Sequence, residues 1–145
     1  MSDWWQWSPI KANQKLGFAV VGIGRFGSAV CRELLRNGAD VLAVDFSEKA
    51  IEELRQLEPT IEARVVDSTD EESMKEAGVL EMGTVVVGIS EPIEASITTT
   101  LIAKDTDGSL VKQVIARATS DLHEKMLKRV GADRVVFPSR MQGER

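Results

Sequence analysis

The sequence predicts an α/β fold: a doubly wound, mostly parallel six-stranded sheet with helices on both faces. Three observations predict it. Short valine-rich runs alternate with longer helical patterns along 145 residues. Most runs are apolar at successive positions, as strands covered on both faces must be. Turn and cap residues mark several of the boundaries between the two kinds of segment. Regular alternation of this sort builds a parallel sheet.

Each element has its own reason. Residues 1–16 form an N-terminal arm that holds all three tryptophans, Trp4, Trp5 and Trp7, together with Pro9. Strands are expected at 17–21, 41–44, 63–66, 84–89, 111–116 and 134–137. Helices are expected at 25–37, 48–57, 70–77, 92–104 and 121–130. Gly38 follows Asn37 where the first helix should stop. Ser47 precedes the second helix as an N-cap, and Asp67-Ser68-Thr69-Asp70 reads as a turn and cap before the third. Ser90 stands before Glu91 and Pro92 in the same capping role, with Pro92 early in the fourth helix, where its missing N–H costs little. Right-handed crossovers would then put helices on both faces. Residues 17–138 make one domain, and 139–145 would begin a connection to a further lobe.

The strongest motif is Gly22-Ile23-Gly24-Arg25-Phe26-Gly27, between the first strand and the first helix. That context gives a G-x-G-x-x-G match its meaning, because the helix N-terminus offers N–H groups and partial positive charge to a phosphate. Gly22 allows the tight turn, Gly24 lets a pyrophosphate approach the backbone, and Gly27 lets helix and strand pack closely. Asp45 ends the second strand, 18 residues after Gly27. The spacing suits a carboxylate that accepts both ribose hydroxyls and repels a 2′-phosphate. Arg25, where the helix starts, suits terminal phosphates, and an ordinary exposed arginine fits the position nearly as well. Arg117, at the end of the fifth strand, would face the same crevice or form a surface ion pair, the two fitting equally, and Asp67 and Ser68 would lie beside an adenine. The fold is therefore Rossmann-like.

Other chemistries find little support. The net charge is −5 and basic residues form no long run, which argues against nucleic acid. The single cysteine, Cys31, reads as a core thiol, and the only histidine, His123, is expected to face solvent. No cluster has metal-ligand spacing. No signal peptide or run of ~20 apolar residues is visible, so a cytoplasmic location is expected. The tryptophans of the arm suit docking on a partner, although an arm folded back over its own domain, or one with no fixed fold, fits equally.

Taken together, Ala19 to Gly27, Val41 to Asp45, Ile115 to Ala118, and Leu127 through Gly131-Ala132-Asp133-Arg134 to Pro138 closely resemble the N-terminal lobe of RCK domains, also called KTN or TrkA-N domains. Within that family the chain resembles KtrA-like cytosolic regulatory subunits of Trk and Ktr potassium-uptake systems. The resemblance implies binding of adenine nucleotides (ATP, ADP) or NAD(H) without turnover. It implies homodimers, and an octameric ring of them docked on a membrane-embedded potassium-translocating subunit at the inner face of the membrane. It further implies that Gly22 to Phe26, Ile23 included, hold phosphates, that Arg25 reaches the terminal phosphate, that Ile89 and Ser90 line the crevice, and that Arg117 adds positive charge. Ser139 replaces an acidic residue that can help hold a cation in such subunits, so no cation site is expected there. Two further readings remain: the cofactor half of an NAD-dependent oxidoreductase, and an interaction module with a structural nucleotide.

Overall fold

The computed structural model describes residues 17–138. The expectations for Trp4, Trp5, Trp7 and Ser139 lie outside the described residues. Six strands form one sheet: β1 (Phe18–Val21), β2 (Val41–Asp45), β3 (Glu62–Val65), β4 (Thr84–Val87), β5 (Gln113–Arg117) and β6 (Arg134–Val136). Their order is β3-β2-β1-β4-β5-β6, and every pairing is parallel. Five α-helices connect them: α1 (Arg25–Arg36), α2 (Glu48–Leu57), α3 (Glu71–Ala77), α4 (Ile93–Asp105) and α5 (Asp121–Arg129). A single 3-10 turn, Val79–Glu81, follows α3.

Strand ends are set by neighbours rather than by apolarity. Val87 pairs with Val21, the last residue of β1, so β4 stops there and not at 89. Gln113 pairs with Thr84, the first residue of β4, so β5 starts there and not at 111. β3 is an edge strand and buries only Ala63.

Alternation along the central strand sorts the core into two layers. Phe18 and Val20 pack with Val30, Cys31 and Leu34 of α1 and Ile51 and Leu54 of α2. Ala19 and Val21 pack with Met74 of α3, Ala103 of α4 and Leu127 of α5. Period-2 side-chain direction makes one strand serve both layers.

Three helices start on a side-chain cap. Ser47 Oγ accepts from Ala50 N, Asp70 from Ser73 N, and Ser120 Oγ from His123 N. The expected cap by Ser90 is not made. Pro92 itself is the N-cap of α4, with extended backbone (φ −75, ψ 154) and no side-chain bond. Ser90 sits too far before Ile93 to reach the first-turn amides. The Gly131–Arg134 segment has a structural role: Asp133 Oδ2 accepts from Val114 N at 2.7 Å and from Lys104 Nζ at 3.0 Å, tying β5 and α4 to the start of β6.

Candidate functional site

The carboxyl ends of the strands open into one crevice of about 740 Å³. It lies where the strand order reverses, between β1 and β4, the place where open α/β sheets take ligands. Gly22, Ile23, Gly24 and Arg25 line it from the β1–α1 turn, Asp45 from the end of β2, Asp67 and Ser68 from beyond β3, Ile89 and Ser90 from beyond β4, and Arg117 from the end of β5. Phe46, Ser47, Thr69, Glu91 and Pro92 also line it, and sequence reasoning assigned none of them a contact.

The glycine turn is built as its spacing demands. Gly22 has φ +97, and a Cβ there would sit 2.9 Å from Ile89 Cγ1. A Cβ on Gly27 would overlap the Gly22 carbonyl oxygen, so α1 can pack this close only without one. Around Gly24 a Cβ would meet nothing within 4 Å, because that side faces the open crevice. Gly24 caps α1 without a side-chain bond and no acid occupies the first turn, so the helix's own residues supply no counter-charge to its positive end. Arg25, the first residue of α1, is exposed.

Asp45 links this turn to the next strand. Its Oδ2 accepts from Ile23 N at 2.6 Å and its Oδ1 from Ser47 N at 2.7 Å. Each carboxylate oxygen keeps a second lone pair for another donor. Asp67 Oδ1 accepts from Thr69 N and Thr69 Oγ1, an Asx turn that holds the loop after β3. Ser68 is buried, and its hydroxyl is paired with Thr99 Oγ1 at 2.7 Å.

Phe26 stands apart from the other expected site residues. It is buried beneath the crevice, and the Arg117 guanidinium lies over its ring at 5.4 Å from the centroid. Arg117 is half-buried, its Nε has no hydrogen-bond partner among the described residues, and desolvation holds its pKa below the ordinary arginine value. A poorly hydrated cation with an unfilled donor therefore borders the crevice.

The model of the TrkA-N domain matches residues 18–138. The chain belongs to the TrkA-N domain family. Ktr system potassium uptake protein C of Bacillus subtilis (strain 168) is 40% identical over 131 residues, covering 90% of this chain and 57% of that protein. Ktr system potassium uptake protein A of Vibrio alginolyticus is 38% identical over 128 residues, covering 88% of this chain and 56% of that protein. The chain thus spans about half the length of the curated relatives it matches. In fold it resembles the TrkA-N domain of the inner membrane protein YbaL from Escherichia coli, with TM-score 0.75 and 24% identity over 88% of this chain and 90% of that one. The GsuK channel shares the fold, as solved bound to NAD (TM-score 0.73, 18% identity, 86% of this chain and 22% of that one) and bound to ADP (TM-score 0.69, 18% identity, 86% and 32%).

Two other residues of this TrkA-N domain were weighed for chemistry. Cys31 is fully buried, as expected of a core thiol. Burial, with a smaller contribution from the Glu58 charge, pushes its pKa up to about 12. His123 corrects the sequence reading: it is fully buried, not solvent-facing. Its Nε2 lies 2.7 Å from Ser96 Oγ of α4, and its Nδ1 accepts from Thr119 N at 3.1 Å. The ring thereby clamps α4 to the turn that follows Arg117. Among the described residues, no group of three or more His, Cys, Asp or Glu could hold a metal ion, and no helix is long and apolar enough to cross a membrane.

Proposed function

We propose that the crevice binds an adenine nucleotide (ATP or ADP) or NAD(H) as a regulatory ligand, and that the chain belongs to a cytoplasmic subunit that gates a membrane-embedded potassium-translocating partner. One observation carries the ligand reading. A helix N-terminus with no acid in its own first turn, a half-buried arginine with an unfilled donor, and a carboxylate with spare lone pairs all border one crevice. The first two suit phosphates, and the third suits ribose hydroxyls. The backbone of Gly22 to Gly24 would cradle the phosphates, Arg25 would reach the terminal one, and Asp45 would hold the ribose and disfavour a 2′-phosphate. Asp67, Ser68, Ile89 and Ser90 would form the remaining walls. Phe26 would act from below by seating Arg117.

The potassium side of the reading is supported by family membership and by the Ktr relatives. The NAD-bound and ADP-bound GsuK structures support the choice of ligand at the level of the shared fold. Gating would follow from differential affinity: a ligand shifts an assembly only by as much as it prefers one state. Binding without turnover is favoured because the lone imidazole is engaged by Ser96 and Thr119.

Calorimetric titration of nucleotide-free protein with ATP, ADP, AMP, NAD and NADH tests the reading. Mutual competition between ATP and ADP at one site is expected. Arg25→Ala should weaken ATP more than ADP, and equal losses would remove Arg25 from the terminal phosphate. Absence of binding by all five ligands overturns the site. Hydride transfer from NADH to a carbonyl by the full-length protein would instead favour an oxidoreductase.

A further inference from the structure

A second hollow, of about 410 Å³, opens at the amino ends of the strands, opposite the crevice. Its walls mix apolar and polar groups: Leu35 and Ala39 from the end of α1, Val41 at the start of β2, Thr60 and Ile61 before β3, and Met82. Its rim is acidic, with Asp40 and Glu62 both exposed. Glu62 pairs with Arg64 at the surface, whereas Asp40 has no ion-pair partner among the described residues.

We propose that this hollow receives the chain's own N-terminal segment, with the tryptophans of Trp4–Trp7 on its apolar wall residues and Lys11 and Lys15 against its acidic rim. Three observations converge. First, the chain enters β1 through the wall of the hollow: a Cβ at Gly17 would lie 3.0 Å from Met82 Sδ and 3.5 Å from the Asp40 carbonyl oxygen. Second, the charges match. Residues 1–16 carry Lys11 and Lys15 against a single acid, Asp3, and the rim of the hollow carries Asp40 and Glu62. Third, the residue types match. An indole brings a large apolar face and one N–H donor, and a hollow that sets Leu35, Val41, Ile61 and Met82 beside Asp40 and Glu62 offers a match for both. Reach imposes no limit, since the roughly ten residues between Trp7 and Gly17 can span up to about 33 Å. The acidic rim also disfavours an anionic ligand here. This inference stands apart from the crevice and does not depend on what binds there.

The sequence supplies an unusually clean probe. The chain has three tryptophans, all in this segment, and no tyrosine, so tryptophan emission reports on the segment alone. The experiment compares the whole chain with Asp40→Lys/Glu62→Lys, a charge reversal at two exposed positions. Circular dichroism and the melting temperature verify that the variant folds. The native chain should emit to the blue of the denatured chain and resist acrylamide quenching. The reversal should move emission to the red and raise quenching several-fold. Adding Lys11→Glu/Lys15→Glu to the reversed rim should restore the native signal. Native emission already matching the denatured chain overturns the proposal, as does a blue-shifted emission that ignores the rim reversal. A signal that grows with protein concentration overturns it too, by assigning the hollow to the segment of a second copy.

Discussion

Ser96 Oγ lies 2.7 Å from His123 Nε2, and both side chains are fully buried. The surrounding bonds fix the tautomer. Thr119 N donates to Nδ1, so Nδ1 carries no proton, and Ser96 Oγ donates to Ile93 O, so Nε2–H is the donor toward Ser96. The neutral ring satisfies every partner, whereas a protonated Nδ1 would confront the Thr119 amide. Burial, and then the charge of Arg117, lowers the His123 pKa below 6.5. The unfolded chain therefore binds a proton at a higher pH than the fold does. The stabilisation from neutral His123 is fully present above about pH 6.5 and is lost as pH falls through the lower folded value. Urea midpoints should decline across that window. The sole histidine's NMR signal should titrate below the ordinary range, and a titration at or above it would refute the assignment.

The glycine turn separates folding from binding. Gly27→Ala forces a methyl into the Gly22 carbonyl, and overpacking of this kind costs about 1–3 kcal/mol or more. Gly24→Ala meets open space, so its melting temperature should stay near that of the native chain. Its methyl would nevertheless stand where a phosphate must approach. Thermal melts beside nucleotide titrations should show Gly27→Ala losing stability and Gly24→Ala losing affinity. Native affinity in Gly24→Ala would move the phosphates away from that turn.

Asp45 holds the turn and is also the proposed ribose acceptor. Asp45→Ala removes the acceptor of Ile23 N and Ser47 N and the proposed acceptor of the ribose hydroxyls. Hydrogen bonds to a charged group contribute about 1.5–3 kcal/mol. An affinity loss of roughly 10–150-fold for NAD or ADP is therefore expected from calorimetry.

Arg117 should trade stability against affinity in the opposite sense. Arg117→Met removes a desolvated cation and keeps a flexible, sulfur-bearing chain over the Phe26 ring. Stability should hold or rise, because a partly buried charge with no ion-pair partner among the described residues is a burden on the fold. Nucleotide affinity should fall, and the His123 titration should move up toward the ordinary value. An unchanged histidine titration would mean that the two residues do not communicate electrostatically.

The parts legible in the sequence were those written in adjacent residues. The Gly22–Gly27 spacing and the strand-end position of Asp45 depend on one turn and one strand, so a reader of the chain finds them. His123 was missed because α5 offers two competing stripes. Leu122 and Met126 form the more apolar i, i+4 pair, yet Leu122 is 65% exposed, while His123 and Leu127 face the core. Choosing between them requires Ser96, 27 residues earlier, which supplies the partner that makes a buried imidazole tolerable. The seat of Arg117 on Phe26 was likewise invisible, since it joins residues from β5 and α1. Ser90 misled because a serine before a proline looks like a cap until the helix start is known to be Ile93.

The strand order also sets a timetable for synthesis. β1 leaves the ribosome early and finds β2 and β3 close behind, but its other neighbour, β4, ends only at Val87. Until then the glycine turn has one finished flank, and the wall supplied by Ile89 has not yet been translated. Arg117 comes later still. A nascent chain thus carries its glycine motif before the opposite wall of the crevice exists, and the crevice is complete only when the second half of the sheet has docked on the first.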